Sequence, residues 1–385
     1  MMNIRAIVRI GICLLPTATV FPQGFSFRPG VHLPVGEGPG VVVIADVNRD
    51  GRGDILAVNH GSNNISVYLG NGKGRFAEAK GSPFAAGQSP NDIAIGDFNG
   101  DNKLDLAIPN HSVKYVTVLL GDGQGSFSFA PGSPFAVPSN PHPHGIAAAD
   151  FNGDAKLDLA MDSWGEDKVL VMFGNGDGTV QTPGVKFDVG RSPYERLRSA
   201  DLNGDGHPDI VTSNWRGKSI SVLLGDGKGK FALVGGANIP VPDAPFSLAI
   251  ADYNGDHHPD IAVGHYSGHA VDPSKNVVSV LYGDGRGGFK LAKGSPFPVA
   301  NYPPTVTAGD VNGDGIADIA IPANLENSVA FIFGGRTGIK QASASSIAVG
   351  HQPEYVAIGD LDGDGKPDVV VAEEGDNDIL VLFGK

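Results

Sequence analysis

The chain has 385 residues, 41% of them hydrophobic, with 56 Gly, 28 Pro and one Cys. That apolar share is enough for a real core and excludes a disordered chain. Its 28 basic and 42 acidic residues give a formal net charge of −14, which argues against a nucleic-acid partner but leaves cations open.

In chain order, residues 1–23 read as an export signal. "MMNIRAIVR" carries two arginines and is followed by the apolar run "IGICLLPTATV", which is too short to span a membrane. Cleavage is expected between Val20 and Gly24. Cys13 lies inside this segment, so residues 24–385 would be free of cysteine. The product is expected to be secreted or otherwise extracytoplasmic, with no disulfide to stabilise it.

A nine-residue acidic motif then recurs seven times, at intervals of 50 to 58 residues. Positions 1, 3, 5 and 9 are Asp46, Asn48, Asp50 and Asp54 in the first copy, and Asp97, Asn99, Asp101 and Asp105 in the second. The third has Asp150, Asn152, Asp154 and Asp158; the fourth has Asp201, Asn203, Asp205 and Asp209. The fifth has Asp252, Asn254, Asp256 and Asp260, and the sixth Asp310, Asn312, Asp314 and Asp318. The last has Asp360, Asp362, Asp364 and Asp368.

Each motif lies between short β-type runs, such as "IAIGD" before it and "LDLAIP" after it. A third run ends in "VLLGDG" or a close variant, and a fourth contains "GSPF" in three copies. Helical periodicity is absent. Four short strands per unit of about fifty residues predict an all-β chain, a seven-bladed β-propeller of four-stranded antiparallel blades, with 24–385 as one domain. The last unit stops at "VLFGK", after its third strand. "GFSFRPGVHLPVGEGP" reads as the missing fourth, so the N-terminal strand is predicted to complete the C-terminal blade and remove an open sheet edge.

Alternating oxygen donors on a tight loop can converge on one hard cation, with a backbone carbonyl at position 7. Oxygen-only ligands favour calcium, so up to seven structural Ca²⁺ ions are expected. An EF-hand is rejected, because position 12 of the sixth motif is Ile321 and the flanks are strands. Each loop has three aspartates and blade 7 adds Asp362, so the loops hold more than half of the acidic residues. Such crowding is unfavourable unless a cation neutralises it. Position 6 calls for a conformationally permissive residue. It is Asn102, Ala155 and His257 in blades 2, 3 and 5, so blades 3 and 5 are expected to bind most weakly. Arg49 replaces the position-4 glycine in blade 1.

The repeat "DxNGDGxxDL" followed by "VxVLLGDGxGxF" resembles the FG-GAP or VCBS repeat, which builds the seven-bladed propeller of integrin alpha subunits and many secreted bacterial proteins. The resemblance covers nearly all of residues 24–385. It implies calcium of structural rather than catalytic role, in a family that includes adhesion receptors, lectins and polysaccharide lyases.

A ligand is expected on the face opposite the acidic loops, where the repeat is irregular. Blade 5 carries seven extra residues in "GHYSGHAVDPSKN", with His265, Tyr266, His269 and Asp272. The lead-in to blade 3, "VPSNPHPHG", contains His142 and His144. The lead-in to blade 4, "RSPYERLRSAD", places Tyr194 where the other six blades have Pro, together with Arg196. Arg198 stands where the others have Ala, Val or Thr. Six residues after each ninth-position Asp come His60, His111, Trp164, Trp215, Tyr266, Asn324 and Glu374. Aromatic faces can stack on sugars, while Arg and His can bond hydroxyls or carboxylates.

Two readings follow. One is a monomeric binding or adhesion module for a glycan or extracellular protein. The other is a polysaccharide lyase, with Tyr194, Tyr266, His144 or His265 as base and Arg196 or Arg198 neutralising a uronate. Binding is preferred, because nothing in the sequence fixes a base–Arg geometry.

Overall fold

The computed structural model describes residues 26–140, 142–265, 276–299, 305–339 and 346–385. They form seven antiparallel sheets set in a ring, one per acidic motif. Blade 1 shows the plan. Its strands run Pro39–Ala45, Asp54–Asn59, Asn64–Gly70 and Phe76–Glu78, each hydrogen-bonded to the one before.

The second strand of every blade is buried along its whole length. That explains its continuous apolar run: a strand covered on both faces needs no polar alternation. The core is a series of wedges between neighbouring sheets. Leu56, Val58 and Val67 of blade 1 pack against Leu106 and Ile108 of blade 2, and equivalent clusters join each later pair. Ala57 and Val42 pack against Val370 and Ala372, closing the circle between blades 1 and 7.

The "GSPF" element breaks the fourth strand in two. In blade 1, Phe76–Glu78 and Phe84–Ala85 both pair with Asn64–Gly70. The break would orphan one N–H of the third strand. Ser82, Ser133 and Ser295 prevent this by accepting from the N–H groups of Val67, Val118 and Val280 at 3.0, 2.9 and 3.0 Å.

Val31–Pro34 pairs antiparallel with Asp378–Leu382, as the N-terminal strand was predicted to do. The seam is reinforced by Phe27 bridging Gly384 and by the Arg28–Asp362 ion pair. No helix among the described residues is long and apolar enough to cross a membrane.

Candidate functional site

The acidic loops join the first strand to the second. The first carboxylate folds inward over the loop: Asp310 Oδ1 accepts the N–H of Gly313 at 2.7 Å and Oδ2 that of Gly315 at 2.7 Å. Asn312 Oδ1 accepts from Asp314 at 2.9 Å, and Asp314 Oδ1 from Ile316 at 3.0 Å. The turns held by positions 1, 3 and 5 recur in all seven loops. Position 6 has positive φ in every copy, including Asn102 at 60°, Ala155 at 64° and His257 at 67°; position 4 does too, including Arg49 at 62°. Glycine suits these sites because it lacks the Cβ that resists a left-handed backbone.

The ninth-position aspartate has a duty that spacing alone does not reveal. Asp318 is fully buried. Its Oδ2 accepts from Val311 N at 3.0 Å and its Oδ1 from Gly334 N at 2.9 Å. The same pair of bonds occurs in the other six blades. These carboxylates hold three strand ends together, and only their remaining lone pairs are left for a cation. In blade 7, an oxygen from each of Asp360, Asp362 and Asp368 lies within 4.8 Å of the other two.

A six-residue strand separates Asp54 from His60, roughly 20 Å, so the residues that follow the second strands lie on the opposite face. A pocket of 340 Å³ opens there at the ring axis. Its wall includes His60, His111, Tyr194, Glu195, Arg196 and Glu354. Blade 4 fills one side because its first strand bulges. Pro193 pairs with Asn214 and Leu197 with Thr212, so four residues answer two. In blade 1 only two answer one, between Pro39 and Val41. The larger bulge places Glu195 at φ 73° and brings Tyr194, Glu195 and Arg196 to the pocket wall.

An aromatic ribbon flanks the pocket across blades 2 to 5. The rings of His111 and His142 are 4.1 Å apart, and each is 4.7 Å from His144. His144 packs 4.3 Å from Tyr194, and Tyr194 lies 5.9 Å from both Trp164 and Trp215. Arg216 covers both tryptophans at 5.5 and 5.7 Å. Burial, then the neighbouring His144 and His111 rings, push His142 down to about 4. Burial, then His144, also lowers His111. Burial, then Glu374, holds the Glu354 carboxyl well above the usual range.

Other residues predicted for this face serve the scaffold. His265 is fully buried; its Nδ1–H donates to the Asp243 carbonyl at 2.9 Å, and its Nε2 accepts from Ser279 Oγ at 2.7 Å. With both nitrogens engaged and its pKa pushed down to about 4, chiefly by burial, it offers a ligand no free nitrogen. Arg198 reaches across the axis. Its Nη1 donates to Asp92 Oδ2 at 3.0 Å and its Nη2 to the Tyr355 hydroxyl at 3.2 Å, linking blades 4, 2 and 7. Arg196 lies over the Tyr355 ring at 5.6 Å and donates to the Glu195 carbonyl at 3.1 Å. Tyr266, His269 and Asp272 lie outside the described residues.

Sequence reasoning missed Glu195, Glu354, Asp92 and Asp162. Only Glu195 carried a local signal, as part of the aberrant "YER" at a bulge larger than those of blades 1, 5 and 7. His111 was marked by sharing its repeat position with Trp164 and Trp215.

Fold and loops define a seven-bladed propeller with an acidic hairpin in each blade. FG-GAP-like repeats match residues 46–108, 109–161 and 201–263, and an FG-GAP repeat matches 302–339; the chain belongs to the FG-GAP repeat family. It is 27% identical over 205 residues to integrin alpha pat-2 of Caenorhabditis elegans, across 48% of this chain and 14% of that protein. It is 27% identical over 150 residues to cartilage acidic protein 1 of Mus musculus, across 38% of this chain and 22% of that one. The match thus spans less than a quarter of either curated relative. Among solved structures, BBS1N in complex with ARL6DN superposes with a TM-score of 0.61 at 10% identity, across 93% of this chain and 98% of that one. That likeness concerns the fold alone.

Proposed function

We propose that this chain is an extracellular, calcium-stabilised binding module that captures a neutral glycan or a protein through the axial pocket and its aromatic ribbon. The pocket carries the reading. It is concave, lies on the face where the repeat is most irregular, and combines half-buried aromatic rings with hydrogen-bonding groups, the mixture that small-ligand sites use. The integrin alpha and cartilage acidic protein relatives support an adhesive role outside the cell.

The loops fit calcium by their donor set. They offer oxygen only, with the side chains at positions 1, 3 and 5 already turned inward by backbone hydrogen bonds. Bound Ca²⁺ would neutralise the clustered carboxylates and tie the first strand to the second. Aspartates at positions 1 and 5, the residue at position 3, the position-7 carbonyl and the remaining lone pairs of the ninth-position aspartate would hold it.

The lyase reading has less support. It needs a guanidinium free to meet a uronate, whereas Arg198 is paired with Asp92 and Arg196 bonds its own bulge. Glu195 and Glu374 also place carboxylates on the pocket wall, which disfavours a polyanion.

The test is a glycan and extracellular-protein array probed with calcium-loaded protein, followed by Trp215→Ala and Tyr194→Ala. Binding should fall while the melting curve is kept, and a chelator should lower the melting temperature. Array binding indifferent to both substitutions would remove the pocket from the account. Release of unsaturated uronate from acidic polysaccharides would replace binding with catalysis.

A further inference from the structure

We propose that His111, His142 and His144 form a site for one divalent transition-metal ion of the zinc class, separate from the oxygen-only loops. One ring nitrogen from each lies within 4.8 Å of the other two. Three imidazoles suit zinc, cobalt, nickel or copper and are poor ligands for calcium. A tetrahedral ion at about 2.0–2.1 Å from nitrogen needs ligand atoms roughly 3.4 Å apart, so each pair has to close by no more than about 1.4 Å. His142 is half-buried on a lead-in segment and His111 is half-buried at a strand end, so both have room to adjust.

The second observation is His144 itself. It is fully buried, yet neither ring nitrogen has a hydrogen-bond partner among the described residues. A buried polar group left unpaired costs about 1–3 kcal/mol. The fold satisfies a comparable ring elsewhere, since both nitrogens of His265 are bonded. An ion shared with His111 and His142 supplies what His144 lacks.

The surroundings match a metal-binding histidine. The buried Asp162 carboxylate is held by the His144 and Gly145 N–H groups at 2.9 and 3.1 Å, and its Oδ1 lies 3.5 Å from His144 Nδ1. Carboxylates placed behind a ligating imidazole fix the ring and raise its basicity. His142 and His144 are two residues apart on one segment, and His111 comes from the neighbouring blade, so the ion would bridge blades 2 and 3. Three protein ligands leave a fourth position open. Because His111 also lines the axial pocket, the ion would stand at its edge. None of this depends on the ligand proposed above.

The test uses the full chain without a histidine tag, loaded with calcium and dialysed against Zn²⁺ or Co²⁺. One equivalent of Zn²⁺ should bind, and Co²⁺ should give the visible absorption of a tetrahedral nitrogen site. His142→Ala and His111→Ala should each weaken binding on the order of tenfold or more, leaving the calcium-dependent melting shift in place. His351→Ala, which removes an exposed histidine of blade 7, should leave Zn²⁺ uptake unchanged. His144→Ala is not relied on, because a fully buried ring is removed. Failure to take up a stoichiometric ion, or uptake undiminished in the His111→Ala/His142→Ala double variant, overturns the proposal and leaves the three rings as packing alone.

Discussion

The N–H of Gly283 donates to Asp260 Oδ1 at 2.9 Å across 23 residues of chain. In the other six blades the same bond spans 16. Blade 5 therefore absorbs its seven extra residues without disturbing the joint. The glycine is required by contact: a Cβ on Gly283 would sit 2.2 Å from the Pro259 carbonyl oxygen, and one on Gly121 would sit 2.2 Å from that of Leu104.

Gly121→Ala is expected to destabilise the protein by about 1–3 kcal/mol through this clash. Asp105→Ala should cost about 2–4 kcal/mol, since it leaves the buried N–H groups of Phe98 and Gly121 without an acceptor. Urea unfolding checks both. A loss confined to calcium affinity would show that the ninth carboxylate is a ligand and not a joint.

Arg198→Ala should cost about 3–5 kcal/mol, because Asp92, 2% exposed, would become a buried charge with no cation beside it, held only by the long bond from the Ile146 N–H. The double variant Arg198→Met/Asp92→Leu should recover most of that loss. A cycle of thermal melts gives the coupling, and an Arg198→Ala protein as stable as the parent would place the guanidinium in solvent instead.

Ala155→Gly should stabilise the protein by about 1 kcal/mol, by relieving a left-handed backbone at φ 64°. It should also tighten calcium at blade 3. His257→Gly should act similarly in blade 5. Calorimetric melting and calcium titration of each variant are the measurements.

Glu373 makes stability fall as pH rises towards about 8. It is fully buried beside Asp378, its register partner at the closing seam. Burial, then the hydrogen bond with Asp378, pushes its carboxyl from 4.5 up to about 8. Glu373 Oε2 and Asp378 Oδ1 have no other hydrogen-bond partner among the described residues, with His32 Nδ1 3.6 Å from that Oε2, the arrangement of two carboxyls sharing one proton. Around them, Gly350 N donates to Glu373 Oε1 at 2.6 Å, and His32 Nδ1 lies 2.8 Å from Asp378 Oδ2. The folded state binds the proton more tightly than the unfolded chain. Its stabilising effect is full below pH 4.5 and is lost as pH rises through about 8. The melting temperature should fall across this range; the buried ninth-position aspartates, raised by desolvation to about 6 or 7, carry its lower part, and Glu373→Gln, which keeps a donor, should flatten the part nearest pH 8. An equal fall in the variant would assign it to another group.

The fold was legible because its signals repeat. Seven nine-residue motifs with Asp at positions 1, 5 and 9 fix the hairpins, and apolar runs such as "LDLAIP" mark buried strands. The N-terminal strand could be placed by matching it to "GSFSFAPGSPF". The pocket was legible where the repeat broke, at Tyr194, and at His60, His111 and Glu374 through the repeat position they share. Arg198 looked like a ligand contact because a charge replaced an alanine, but its partner, Asp92, lies 106 residues away. His265 looked available because it stands at the seven-residue insertion of blade 5, but its partners, Asp243 and Ser279, come from other strands and loops. Pairings set by ring closure leave no local trace in the chain.

The joining of Val31–Pro34 to Asp378–Leu382 also sets a timetable for biosynthesis. Gly38 and Asn377, which hydrogen-bond at that junction, are 339 residues apart. At roughly 5–20 residues per second of translation, the earliest strand waits on the order of tens of seconds for its neighbour. During that interval the nascent protein is an open arc with two unsatisfied borders, and it is then that a chaperone has most to shield.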